Sequence, residues 1–93
     1  MTTTLSENEI QSRLESLPDW TESSGAIQKT YVFDDFVASM AFVNKVADLA
    51  EAAQHHPDIL IRYSKVTLTL STHDAGGITE KDFDLAKKAD EAA

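Results

Sequence analysis

Cysteine is absent from the 93 residues, which removes disulfides, thiolate metal sites and a cysteine nucleophile from consideration. Basic residues are scarce: 8 Lys and Arg stand against 16 Asp and Glu, for a formal charge of −8. Such a surface repels phosphates and argues against direct nucleic-acid partners and anionic membranes. Glycine (3) and proline (2) are also few, so each one present marks a specific break in the chain. No apolar run is long enough to span a bilayer, and Met1-Thr2-Thr3-Thr4 lacks the basic and apolar regions of a signal peptide. The expectation is a soluble, cytoplasmic protein. A hydrophobic fraction of 42% is ordinary for a globular chain. Residues 1–93 read as a single domain without linker or repeat, and its modest core would gain stability from self-association as a homodimer or homotetramer.

Order along the chain follows from capping signals and periodicity. After a frayed polar start over residues 1–4, Ser6 with Glu9 forms a capping box, and Ile10, Leu14 and Leu17 continue at helical spacing to Pro18. The first helix is expected over 6–17. Ser23-Ser24-Gly25 reads as a turn between strands near 19–22 and 26–33, the second with Ile27, Tyr31 and Phe33 on one face. Asp34 or Asp35 caps a long helix running to about His55. One apolar stripe holds Phe36, Met40, Val43, Ala47 and Ala50, flanked by Phe42, Val46, Leu49 and Ala53. Pro57 stops it. A short strand over 58–63, a turn at Tyr63-Ser64-Lys65 and an alternating strand over 65–72 follow. Then come a loop at Asp74-Ala75-Gly76-Gly77 and a helix capped by Thr79 with Asp82 at its third position. The order α-β-β-α-β-β-α predicts an α+β fold: a four-stranded antiparallel sheet with three helices on one face. The uncovered face and the sheet edges are surfaces for self-association.

All three histidines fall between Glu51 and Asp82. Histidine alone has an unperturbed pKa that lets it trade protons near neutral pH. Glu51 and His55 lie one helical turn apart. His55 and His56 are adjacent, so both reach one site only at the helix end, where Pro57 puts them. His73 ends a strand, and Asp82 opens the next helix. Taken singly, each has an ordinary role: His55 and His56 as helix caps, His73 as a solvated strand end, Glu51 as a surface carboxylate, Asp82 as a capping residue, Trp20 and Tyr63 as packing. Together they fit two kinds of site. One is a metal centre on Glu51, His55 and His73; the other is metal-free acid–base catalysis by two or three imidazoles.

The spacing is more specific than its parts. Glu51, three residues, His55-His56-Pro57, five residues, Tyr63, nine residues, His73, then Asp82 after a short loop resembles the signature of the pterin-4a-carbinolamine dehydratases. The resemblance extends to Trp20, Phe33-Asp34-Asp35-Phe36, Val66 to His73, and Gly77 to Asp82. It implies the same fold and a dehydration of 4a-hydroxytetrahydropterin to quinonoid dihydropterin, recycling the cofactor of aromatic amino-acid hydroxylases, with no metal or redox cofactor. By this analogy His55 and His73 are the acid–base pair and His56 assists, while Glu51 and Asp82 orient the imidazoles. Gln54, Ser71 and Thr72 line the pterin site, and Trp20 forms part of its wall. Gln54 departs from relatives that carry an acidic residue there. The resemblance also implies an alternative: relatives act as dimerisation cofactors of a homeodomain transcription factor or as assembly factors, so the same fold can serve as a protein-binding module.

Overall fold

The computed structural model describes residues 3–93. The expected fraying at residues 1–4 therefore falls partly outside the described residues. At Leu5 the chain is already tied down, its N–H donating to the Ile78 carbonyl at 2.9 Å.

Helix α1 spans Glu7–Leu14 and starts as the capping signal predicts: Ser6 accepts from the Glu9 N–H, and the Glu9 carboxylate accepts from the Ser6 N–H. It ends earlier than expected. Ser16 and Leu17 donate to the carbonyls of Arg13 and Leu14, three residues back, so the last turn tightens ahead of Pro18. Proline disfavours helical geometry in the residue before it, and the helix closes accordingly.

Strands β1 (Thr21–Ser23) and β2 (Ala26–Val32) are joined by Ser24 and Gly25, with φ of 52° and 77°. Both central residues at positive φ match the twist of a two-residue hairpin, and glycine makes the second free of strain. Helix α2 spans Phe36–Ala53 and is capped by Asp35, which accepts from the Ala38 N–H at 2.8 Å. Strands β3 (Asp58–Arg62) and β4 (Lys65–Leu70) form a second hairpin, and α3 (Glu80–Ala92) closes the chain. All pairings are antiparallel in the order β1-β2-β4-β3.

Alternation decides which side of the sheet is dry. Val66, Leu68 and Leu70 of β4 and Ile27 and Tyr31 of β2 are buried, together with Ile10 of α1, Phe42 and Val46 of α2, and Phe83 and Leu85 of α3. One core therefore joins all three helices to the same face of the sheet. Each large apolar side chain fully buried there contributes about 1.5–3 kcal/mol. The opposite face carries a hydroxyl lattice, with Thr30 bonded to Thr67 and Gln28 to Thr69.

Two expectations about the core are corrected. The apolar arc of α2 is wider than the sheet can cover. Ser39, Phe42, Val46 and Ala50 face inward, whereas Phe36, Val37 and Ala47 remain exposed. The buried Ser39 hydroxyl donates to the Asp35 carbonyl at 3.1 Å. Trp20 is 2% exposed, edge-on to Tyr31 at 6.3 Å, with its indole N–H 3.2 Å from both carboxylate oxygens of Asp90. Asp90 also accepts from the Lys29 ammonium at 2.9 Å and from the Tyr31 hydroxyl. Burial raises the Asp90 carboxyl, but bonds from Tyr31, Lys29 and Trp20 outweigh it and hold the group below its ordinary value. Burial, and then the bond to Asp90, push the Tyr31 phenol far up. This hub ties the end of α3 to β2.

Candidate active site

The site is assembled where α2 ends. Ala53 is its last helical residue, and Gln54 turns into the left-handed region at φ 53°, ψ 40°. The Gln54 amide donates to the Glu51 carbonyl at 2.8 Å, and the His55 N–H reaches the Ala50 carbonyl at 3.1 Å. The helix therefore stops two residues before the expected limit at His55. A left-handed residue after the last turn is a common way to satisfy terminal carbonyls.

That reversal changes which groups meet. One-turn spacing on a continuous helix would set Glu51 beside His55. Instead Glu51 pairs with Nε2 of His56, both well exposed, and His55 swings inward. His55 Nε2 lies 2.5 Å from Oδ1 of Asp82. Asp82 is fully buried, and the His55 side chain is 10% exposed. Oδ2 of Asp82 accepts from the Thr79 N–H at 2.9 Å and from the Thr72 hydroxyl at 3.0 Å. Thr72 and Thr79 share a hydrogen bond of 2.7 Å. Among the described residues no buried side-chain polar atom lacks a partner. A buried carboxylate with both oxygens hydrogen-bonded holds one imidazole in a single orientation. With Nε2 of His55 bonded to Asp82, Nδ1 is the ring nitrogen that this pair leaves unengaged.

His73 arrives from a different element than expected. Strand β4 ends at Leu70, and His73 opens a short 3₁₀ turn, His73–Ala75, held by bonds from the Ala75 and Gly76 N–H groups to Thr72. A bridge between Thr72 and Gly77 closes the loop. Gly76, at φ 80°, takes the left-handed turn this requires.

The three histidines line one open cavity of about 420 Å³ together with Gln54, Ser71, Thr72, Asp74, Ala75 and Lys81. A second cavity of about 420 Å³ shares His56, Ser71 and His73 with it and extends over the uncovered sheet face. Each falls in the size range of small-molecule sites. Of the residues singled out from sequence, Gln54, His55, His56, Ser71, Thr72 and His73 line the first cavity, with Glu51 and Asp82 bonded to its imidazoles. Trp20 does not join them: it lies in the Asp90 hub and lines a separate surface hollow with Gln11 and Glu22. Its correct partner is 70 residues away in sequence and carries no local signal. Tyr63 is 68% exposed at the β3–β4 hairpin, with φ 55°. Lys81 was not anticipated. Its place beside Asp82 at the start of α3 is the signal that would have found it. Among the described residues no group of three His, Asp or Glu side chains is arranged to hold a metal ion; of the Glu51, His55, His73 set, His55 is bonded to Asp82 and Glu51 to His56.

Comparison with known proteins points the same way as the geometry. The profile of the pterin 4 alpha carbinolamine dehydratase family matches residues 3–92. A protein of Roseiflexus sp. (strain RS-1) is 57% identical over 91 residues, covering 98% of each chain. One of Acidobacterium capsulatum is 62% identical over 77 residues, covering 83% of this chain and 84% of its own. Both carry the name pterin-4-alpha-carbinolamine dehydratase provisionally. Among solved structures, a transcriptional coactivator/pterin dehydratase from Brucella melitensis superposes with a TM-score of 0.94 at 33% identity, over 98% of this chain and 99% of that one. A pterin dehydratase-like RuBisCO assembly factor of the alpha-carboxysome shares the fold, with a TM-score of 0.69 at 24% identity over 81% of this chain and 89% of its own. The match over nearly the whole length, on a scaffold that gathers the three histidines at one cavity, places this chain in the pterin-4-alpha-carbinolamine dehydratase family.

Proposed function

We propose that this chain dehydrates 4a-hydroxytetrahydropterin by acid–base catalysis at the three-histidine cavity. The observation that carries the reading is the convergence of His55, His56 and His73 on one small-molecule-sized cavity, with His55 locked by a buried carboxylate. Dehydration needs one proton delivered to the 4a-hydroxyl oxygen and one removed from N5. The C4a–O bond breaks, water leaves, and the N5 electron pair forms the C=N bond of the quinonoid dihydropterin. Two imidazoles, one protonated and one neutral, carry both transfers, and a pKa near working pH suits each. His55 and His73 form that pair, and His56, paired with Glu51, assists. Gln54, Ser71 and Thr72 hold the ring through amide and hydroxyl groups. The product is a form from which the cofactor of aromatic amino-acid hydroxylases is regenerated, so the protein serves that recycling in the cytoplasm.

His55→Ala and His73→Ala test the assignment. Each is expected to lower turnover of 4a-hydroxytetrahydropterin by about two orders of magnitude, the usual scale of a general acid or base. A folded variant with wild-type turnover removes that residue from the mechanism.

Self-association belongs to the same proposal. Strand β3 is a sheet edge, and Ile59 and Leu60 on it are 36% and 55% exposed. An apolar edge strand is a template for pairing with a second copy. The names of two structural relatives, a coactivator and an assembly factor, describe protein-binding roles for those proteins. A binding role here would add to catalysis, since it gives no reason for the His55–Asp82 arrangement.

A further inference from the structure

Thr79 has no exposed surface and lines neither cavity, yet its hydroxyl is joined to the network that holds His55. Counting protons gives the direction of its bonds. Each threonine hydroxyl has one proton and two lone pairs, and an ionised carboxylate only accepts. Thr72 spends its proton on Oδ2 of Asp82, at 3.0 Å. In the 2.7 Å contact between Thr72 and Thr79 the donor must then be Thr79. The Lys81 N–H, in the first turn of α3, donates to the Thr79 hydroxyl oxygen at 3.2 Å. The chain therefore runs one way, from the Lys81 N–H to Thr79, from Thr79 to Thr72 and from Thr72 to Asp82. Nε2 of His55 lies 2.5 Å from the other carboxylate oxygen, Oδ1. Bonds in such a series polarise one another. Thr72, which lines the first cavity, keeps one lone pair uncommitted.

The reverse direction has no end point. A proton on Oδ2 would make Asp82 the donor to Thr72, and Thr72 the donor to Thr79. The Thr79 proton would then need a new acceptor. Among the described residues its hydroxyl bonds only to Thr72 and to the Lys81 N–H, which is itself a donor. A buried donor left unpaired is costly. Without the Thr79 hydroxyl that barrier is gone, and Thr72 is free to accept from Asp82. A carboxyl group carrying a proton can donate to Nε2 of His55, which moves the ring proton to Nδ1. We propose that Thr79 is a positioning residue of the reaction: its hydroxyl proton fixes the direction of the chain, holds Asp82 as an acceptor, and keeps the proton of neutral His55 on Nε2 with Nδ1 bare. The proposal rests on the proposed dehydration, in which His55 is one of the two imidazoles, and adds a residue that acts on it from outside the cavity.

The test compares the purified protein with the near-isosteric Thr79→Val, which removes the hydroxyl, and with Thr79→Ser, which keeps it. Heteronuclear NMR of the imidazole nitrogens reads the tautomer of the neutral ring. Wild-type His55 is expected to carry its proton on Nε2; a proton on Nδ1 would overturn the proposal whatever the variants do. Thr79→Val is expected to lower kcat for 4a-hydroxytetrahydropterin about threefold to tenfold, the scale of one lost hydrogen bond, with KM within about twofold. It should also populate the tautomer protonated at Nδ1. Thr79→Ser should restore the wild-type tautomer and bring kcat to within about twofold of wild type. Valine also removes a helix cap, so denaturant unfolding is measured alongside. A folded Thr79→Val protein with wild-type kcat and tautomer, or a Thr79→Ser protein as impaired as Thr79→Val, would reduce Thr79 to a cap and overturn the proposal. If Thr79→Val does not fold, the wild-type tautomer and the kcat of Thr79→Ser decide. A wild-type protein that gives no acceleration would overturn the dehydration instead, and the tautomer would still show which way the chain runs.

Discussion

Replacing Asp82 by Asn isolates the contribution of the buried carboxylate at nearly constant shape. Asp82 accepts three bonds: from His55 at 2.5 Å, Thr79 N–H at 2.9 Å and Thr72 hydroxyl at 3.0 Å. An amide has one acceptor end. The capping box and Thr72 claim it, which turns the NH₂ group toward His55. Nε2 of His55 must then accept rather than donate, and the proton of the neutral ring moves to Nδ1, the nitrogen not bonded to residue 82. The imidazolium form would meet an N–H with an N–H. The lost charge-assisted bond is worth about 1.5–3 kcal/mol, and each 1.36 kcal/mol is about tenfold in rate. A fall in kcat/KM of at least about tenfold to a hundredfold is expected, reaching about 10⁴-fold if acid–base function at His55 is abolished. Rapid-mixing absorbance measurements of 4a-hydroxytetrahydropterin loss provide the assay, with denaturant unfolding confirming that the variant is folded. Glu51→Gln is the matched control. Its pair with His56 is 72% and 60% exposed, so solvent replaces much of the interaction and the loss should stay within about fivefold. A folded Asp82→Asn protein with wild-type kcat/KM would refute the reasoning.

Other consequences concern the rest of the molecule. Asp90→Ala leaves the Trp20 N–H, the Tyr31 hydroxyl and the Lys29 ammonium without their common acceptor, and is expected to cost about 2–4 kcal/mol in chemical unfolding while kcat/KM of the folded protein is unchanged. Because the folded Asp90 carboxyl titrates below its unfolded value, its contribution is present above about pH 4 and is lost as pH falls through the lower, folded value; the acid-unfolding midpoint of Asp90→Asn should show a correspondingly weaker pH dependence there. Trp20→Phe should leave KM within about twofold, since the indole is buried beside Asp90, and a tenfold rise would return Trp20 to the substrate wall. Light scattering at micromolar concentration should give a mass above that of one chain, with Leu60→Lys on the β3 edge reducing it; a wild-type monomer would overturn the self-association proposal.

Local rules carried the fold far. Both capping boxes, the Asp35 cap, the Ser24-Gly25 turn and the alternation of β4 are short-range features, and each appears where its residues stand. The helix end that carries His55 and His56 was equally legible, whereas His73, expected at a strand end, stands in a 3₁₀ turn. The pairing of His55 and His56 was not. It depends on Gln54 entering the left-handed region, which rotates His55 inward and leaves His56 to Glu51. Trp20 was misplaced for a related reason: its partner Asp90 is brought near only by the packing of α3 on the sheet. The exposed stripe of α2 was invisible because periodicity measures how wide an apolar face is, not how much of it one chain can cover. The second cavity required the register of β2, β4 and β3, which no local signal supplies.

Dehydration of the pterin by protein side chains alone requires no metal. The most direct measurement is the rate of loss of 4a-hydroxytetrahydropterin with and without the purified protein, each in the presence and absence of a strong chelator. Acceleration proportional to protein concentration and unaffected by chelation is the expected result. A rate equal to the uncatalysed one, or activity that vanishes with chelator and returns with zinc, would contradict it.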